Sequence, residues 1–316
     1  MTRSGLDGLV VALGGNALLR EGEDGGVAQQ RAHAEETFRA LMPLLRQHER
    51  VLVVHGNGPQ VGDAMLRGEI AATHLEPPPL DSLVAESQGG LGYLLQQVLG
   101  NLLAAEGLER EVVTVVTQVL VAADGDAATH PKKPVGRFHS AEEARELVDR
   151  HGWIMREDAG RGWRRVVPSP PPIAILEAGS VEALYRRGTV VIAAGGGGVP
   201  VARGPAGLRG VEAVIDKDLA AGLLAETVRP ELLVILTAVE AVYTGWGTPA
   251  QQPLRWITPE ELERHHAARA FGEGSMAPKV RCAARFVEAV GGRALITSAE
   301  ALSRALAGTA GTWVHP

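Results

Sequence analysis

Short apolar runs recur along this chain, each ending in glycines or a polar turn and followed by a segment with helical spacing. Leu9–Leu13, Val51–Val54, Thr189–Ala193 and Leu232–Leu236 are such runs. Continuous rather than alternating apolarity predicts strands covered on both faces, as in a parallel sheet. Val27–Arg50 carries Phe38, Leu41, Leu44 and Leu45 at helical spacing. Ser82–Gly107 reads as a second helix, whose Gly89, Gly90 and Gly92 permit close helix packing or a dimer face. Val112–Val121 reads as one further strand and Ile173–Arg187 as a helix. Thr258, Pro259 and Glu261 make a helix start, and a later helical run extends to Val290. Ala294–Thr297 reads as the last strand, with a helical tail after it. Strands alternating with helices predict an α/β fold with a mostly parallel central sheet sandwiched by helices.

Between Asp124 and Pro172 the pattern breaks into an Arg-, Gly- and Pro-rich stretch holding Trp153 and Trp163. Ser140 and Glu143 form a capping box for a short helix ending near Arg150. Trp153–Glu157 and Trp163–Val167 flank Asp158-Ala159-Gly160 in the manner of a hairpin. We read residues 124–172 as a small inserted lid subdomain between an N-terminal half, 1–123, and a C-terminal half, 173–316, of a single domain.

Composition narrows the class. With 316 residues, 45 % of them hydrophobic, the chain can bury a sizeable core. A net charge of −6 argues against a general nucleic-acid binder. The single cysteine, Cys282, excludes an intrachain disulfide framework and fits a reducing compartment. No apolar run approaches the ~20 residues of a membrane helix, and the start lacks a secretory pattern, so a soluble cytoplasmic protein is expected. No Cys/His metal cluster is visible, and His265-His266 reads as a solvated helix face. Of 31 basic residues only four are lysine, at 132, 133, 217 and 279. In a chain so biased to arginine, these four lysines read as places where a compact point charge matters or as chance survivors of the bias.

Three strand ends carry candidate chemistry: Gly14-Gly15-Asn16, His55-Gly56-Asn57-Gly58, and Gly195–Gly198. Such ends of parallel strands sit side by side, where open α/β sheets bind ligands. Asp216, Lys217 and Asp218 precede the helix-like run Leu219–Ala225. A cation between carboxylates at a helix start, beside a glycine loop, suits phosphate; a tight turn with a solvated charge cluster is the other reading. His55 reads as a catalytic group or as a hydrogen-bonded residue packed under the loop. Lys132 and Lys133, held between prolines in HPKKPVG, read as cations aimed at a site or as a surface loop. Tyr243 and Trp246 fit a base pocket or core packing. Lys279 is placed in a loop just before a helix. No G-x-x-x-x-G-K-[ST] loop and no intact G-x-G-x-x-G is present, which disfavours P-loop and standard dinucleotide binding.

Taken in order, LVVALGGNALL, VVHGNGPQVG, TQVLV, PKKPVG, EDAGRGWRRVVPSP, AAGGGGVPV, GVEAVIDKDLA and GSMAPKV resemble the carbamate kinases, from about Leu9 to Ser298. The resemblance implies an amino-acid-kinase fold and a homodimer. It also implies a reversible reaction in which MgADP and carbamoyl phosphate give MgATP and carbamate, usually in arginine breakdown. Mg²⁺ would accompany ATP or ADP. Position by position, Gly14, Gly15 and Asn16 match the family's first glycine loop; Gly56, Asn57 and Gly58 match the second, and Gly195 and Gly196 the third. Lys133, Lys217 and Asp218 match its catalytic positions. Asp216, Lys217, Tyr243, Met276 and Lys279 fall on the nucleotide side. Ala238 stands where a glycine is usual, Glu240 where an aspartate is usual, and Thr73–Leu80 departs from the family pattern. Two other functions share this pattern: a kinase of another small acid, or a non-catalytic sensor of nucleotide or carbamoyl phosphate. Loss of Lys133 or Lys217 would mark the sensor, and both are present.

Overall fold

The computed structural model describes residues 7–19, 23, 25–122, 131–157, 162–268, 270–271 and 276–316. The Asn16 side chain, the turn residues Asp158–Gly160 and the first part of GSMAPKV, through Ser275, lie outside them.

The chain opens with β1 (Leu9–Leu13), α1 (Val27–Gln47), β2 (Val51–His55), α2 (Gly58–Ala71), α3 (Leu80–Ala105), β3 (Val112–Thr114) and β4 (Gln118–Leu120). Then come β5 (Lys133–His139), α4 (Ala141–His151), β6 (Met155–Glu157), β7 (Trp163–Val167), β8 (Ala174–Ile175) and α5 (Ala178–Arg186). The next part holds β9 (Val190–Ile192), β10 (Val199–Gly204), β11 (Gly207–Gly210), α6 (Lys217–Val228), β12 (Leu232–Leu236), β13 (Val242–Thr244) and β14 (Gln252–Leu254). It closes with β15 (Trp256–Ile257), α7 (Pro259–Ala267), α8 (Met276–Val290), β16 (Arg293–Thr297), α9 (Leu302–Leu306) and β17 (Thr312–Val314).

Eight strands form the main sheet in the order β15-β17-β16-β12-β1-β2-β9-β3. From β16 to β3 every pairing is parallel, and β17 runs antiparallel to β16. Burial on both faces explains the unbroken apolar runs. Leu9, Val11 and Leu13 of β1 pack into a core with α1, α3 and α9, while Val10 and Ala12 face a second core built from α5, α6, α7 and α8. The same alternation repeats in β2 and β12. A third cluster joins α2 and the start of α3 to β5, β7 and β10. Smaller sheets are β11-β10-β4-β8, the hairpin β13-β14, and β5-β7-β6.

Four local expectations change. Val112–Val121 is two strands, β3 in the main sheet and β4 in the four-stranded sheet. After Val115 donates to the Ile192 carbonyl at 2.9 Å, the chain leaves the main sheet. Ile173–Arg187 is not helical throughout, because Ala174–Ile175 pairs with β4 before α5 begins. Lys279 lies inside α8 rather than before it. The tail holds α9 but ends in β17, which returns to the sheet with Trp313 and Val314 buried. The Ser140–Glu143 and Thr258–Glu261 capping boxes are both formed.

Candidate active site

β1, β2 and β9 are neighbours in the sheet and each runs into a glycine turn. A methyl group on Gly14 would stand 2.6 Å from the Leu236 carbonyl oxygen, so β1 passes the end of β12 only with glycine there. The β9 turn lies directly on the β2 turn. A methyl on Gly195 would collide with the His55 ring, and one on Gly196 (φ 66°) with the Asn57 amide. On the other side a Gly56 methyl would lie 3.5 Å from Lys217 Cδ and 4.0 Å from the Gly15 nitrogen. The three turns and Lys217 therefore converge on one place. Gly58 opens α2, whose first-turn N–H groups have no partner within the helix.

Charges meet at the start of α6. Asp216 is its N-cap: Oδ1 accepts the Asp218 N–H at 3.0 Å, and Oδ2 accepts from Lys133 Nζ at 2.7 Å. Asp218 is 2 % exposed and accepts from Lys217 Nζ at 2.6 Å and from Lys279 Nζ at 2.8 Å, one on each oxygen. Among the described residues, three of the four lysines thus share the carboxylates of Asp216 and Asp218, while Lys132 is exposed. Burial works against the Asp218 charge, but Lys217 and Lys279 outweigh it and hold the carboxyl at about 2. Burial pushes the Lys217 ammonium down, Asp218 pulls it back, and Lys279 adds repulsion.

His55 is packed under the turns. Burial drives it down to about 4 against its bond to Gly56, with the Lys217 charge adding to the fall, so it is neutral at pH 7. Its Nδ1 lies 2.9 Å from the Gly56 carbonyl oxygen, which in the neutral ring makes Nδ1 the donor. Of the two readings of this residue, the structure gives the packed one.

Beneath the third turn is a buried polar brace. Ala194 has φ 49°, and its N–H donates to Thr117 Oγ1 at 2.9 Å. Gln88 clasps the Thr117 backbone, donating to its carbonyl at 3.1 Å and accepting its N–H at 2.9 Å. Ser87, next to Gln88 on α3, accepts from Asn57 Nδ2 at 2.7 Å.

The chain is 44 % identical over 310 residues to the carbamate kinase of Pyrococcus furiosus, spanning 98 % of this chain and 99 % of that one. It is 44 % identical over 309 residues to the carbamate kinase of Staphylococcus haemolyticus, spanning 97 % and 98 %. Residues 7–298 match the model of the amino acid kinase family. The chain belongs to that family, among its carbamate kinases. It is an enzyme, a kinase. Among solved structures, carbamate kinase from Giardia lamblia bound to AMP-PNP superposes with a TM-score of 0.89 at 40 % identity, covering 98 % of this chain and 99 % of that one. The same Giardia lamblia enzyme bound to citric acid gives a TM-score of 0.91 at 40 % identity, with the same coverage.

Within this carbamate kinase fold, Gly14, Gly15, Gly56, Asn57, Gly195, Gly196, Lys133, Lys217, Asp218 and Lys279 are brought together with Asp216. Tyr243 stands in the β13–β14 hairpin, its ring 5.3 Å from that of Trp246. Met276 opens α8 and packs against the core. Glu240 is engaged by Arg255 at 2.9 Å and Arg304 at 2.8 Å, and so fastens the loop after β12 to β15 and α9. Of the brace residues, Thr117 opens the TQVLV motif, where its role is not apparent, and Ser87 and Gln88 lie outside every motif. One signal exists: Gln88 occupies the apolar stripe Val84, Leu91, Leu95 of α3, where a polar side chain must find a buried partner.

Proposed function

We propose that the enzyme transfers a phosphoryl group reversibly between carbamoyl phosphate and MgADP, giving MgATP and carbamate. The observation that carries this reading is the meeting of three glycine turns with Lys133, Lys217 and Lys279 at the ends of β1, β2 and β9. Phosphoryl transfer has a loose transition state and needs positioning and charge stabilisation above all. The turn N–H groups of Gly14, Gly15, Gly56, Gly58, Gly195 and Gly196, with Asn16 and Asn57, would receive the carbamoyl phosphate oxygens. Lys217 and Lys133 would approach the phosphoryl group from two sides, with Asp218 orienting Lys217. Carbamate is already an anion, so no general base is required, and the neutral buried His55 is consistent with that.

Asp216, Lys217, Tyr243, Met276 and Lys279 would form the nucleotide side, in the C-terminal half. Residues 124–172 would act as the lid that carries Lys133. Both carboxylates at the site are engaged by lysines, so a Mg²⁺ held mainly by nucleotide phosphates and water fits better than a dedicated carboxylate cage. That ion would neutralise phosphate charge. The AMP-PNP held by the Giardia lamblia relative supports the nucleotide reading. We further propose a cytoplasmic homodimer acting in arginine breakdown. Among the described residues no helix is long and apolar enough to cross a membrane.

The test is ATP formation from ADP, Mg²⁺ and carbamoyl phosphate, with Lys217→Ala beside the wild type and acetyl phosphate as a second donor. ATP synthesis that requires carbamoyl phosphate and falls at least about a hundredfold in the variant is expected, since a buried cation aimed at the transferring group is lost. Nucleotide binding without ATP formation by the wild type would point instead to another small acid or to a sensor.

A further inference from the structure

We infer that Asp216 is a positioning residue that aims the lid lysine, Lys133, at the reacting phosphoryl group while it fixes the helix carrying Lys217 and Asp218. The chemistry rests on the function proposed above; the geometry does not. One oxygen of Asp216 caps α6 through the Asp218 N–H, and the other holds Lys133 Nζ at 2.7 Å across 83 positions of sequence. Asp216 does for the lid lysine what Asp218 does for Lys217 and Lys279. An ammonium has three donors, so a lysine held by one carboxylate keeps N–H groups for an incoming anion.

The pair is not an isolated surface contact. The Asp216 side chain is 13 % exposed and that of Lys133 32 %, which limits solvent screening. Lys133 opens β5, paired to Val167 of β7. Pro168, just beyond β7, accepts the N–H of Val214 at 3.0 Å, two residues before Asp216. Arg165 of β7 lies 3.9 Å from Glu212, whose carboxylate also accepts the Leu80 N–H at 2.7 Å. The small sheet is therefore tied to segment 212–216 at three points, and Asp216 is the one of the three that also caps α6. Beside them β5 rests on α2 with backbone against backbone: a methyl on Gly62 would collide with Gly136. The small sheet carrying Lys133 and the helix carrying Lys217 are thereby joined through a single carboxylate.

Asp216→Asn tests this, because asparagine caps a helix about as well as aspartate but carries no charge. Amide hydrogen exchange in the substrate-free protein comes first. Exchange over residues 133–139 and 163–167 should be about tenfold faster in Asp216→Asn, as expected for losing a charge-assisted bond. Lys133→Gln, which leaves α6 untouched, should show the same acceleration, and the double variant should be no faster than either single one. In ATP formation, kcat of Asp216→Asn should fall about tenfold or more, an effect that disappears when Lys133 is already glutamine. Wild-type exchange in Lys133→Gln, or effects of the two substitutions that multiply, would overturn the inference. If the wild type forms no ATP, the proposed reaction is what fails, and the exchange result alone decides the role of Asp216.

Discussion

His55 lies under the glycine turns with 1 % of its surface exposed and ionises at about 4, against 6.5 for a free histidine. Between those values the unfolded chain takes up a proton that the folded one refuses. The contribution of His55 to stability is therefore complete above pH 6.5 and is lost as the pH falls toward 4, by roughly 3 kcal/mol over the window. Denaturant unfolding at a series of pH values should show this slope in the wild type, and His55→Gln should flatten it. An unchanged slope in the variant would mean that other groups, such as the buried His48, whose ionisation burial also pushes down, account for the acid sensitivity. Asp218 acts in a separate and lower window. Its carboxyl is held at about 2, so its contribution is complete above the free value of 3.8 and is lost as the pH falls from there through 2. The glycines beside these residues have a steric reason that is equally local. Gly195 and Gly196 leave no room for a methyl group because His55 and Asn57 already occupy the space.

Among the elements, the turn after β9 is the one most dependent on support from elsewhere. Ala194 holds a left-handed backbone that costs about 1 kcal/mol without glycine, and its N–H donates to the Thr117 hydroxyl. Thr117→Val keeps the side-chain shape and removes the acceptor, so it should cost about 1–3 kcal/mol in denaturant unfolding. Thr117→Ser should restore most of that stability, and if it does not, the hydroxyl is not what holds the turn. This brace also explains where local pattern fails. VVTVVTQVLV satisfies every rule for one strand, yet Gln88 takes Thr117 out of the run from 29 positions away. The same limit applies to β17, whose partner β16 lies beyond a helix and a turn. By contrast, strands buried on both faces, capping boxes and glycine-ended strands are local consequences of residue type, and those elements stand where periodicity puts them. At the site, the lysines stand out because the chain uses so few. Their partners were legible only as near neighbours in sequence: Asp218 beside Lys217 is readable, whereas Lys279 on Asp218 and Lys133 on Asp216 need the fold.

At the scale of the whole molecule, the main sheet ends at β3, and α3 lies beside that edge. A methyl on Gly92 would collide with Thr114, so helix and edge strand are in close contact, and Gln96 accepts the Thr114 N–H at 3.0 Å. From Ser87 to Ala105 the helix carries no charged residue, although Gly89, Gly90, Tyr93, Gln96, Gln97 and Asn101 are exposed. With Arg110 and Val112, several of them line a shallow cavity of 260 Å³. An uncharged face of small residues and one aromatic, beside the end of a sheet, suits a second copy of the chain, and a stable pair would bury ~1,200–2,000 Å² there. Sedimentation should give twice the 33.3 kDa chain mass. Tyr93→Glu combined with Gln97→Glu sets like charges against their symmetry copies and should give monomers. The inner side of the same helix supplies Ser87 and Gln88 to the glycine turns. The monomeric variant should therefore lose phosphoryl transfer while still melting cooperatively. A variant that remains dimeric would place the interface elsewhere, and a fully active monomer would show that α3 holds the turns without help from a partner.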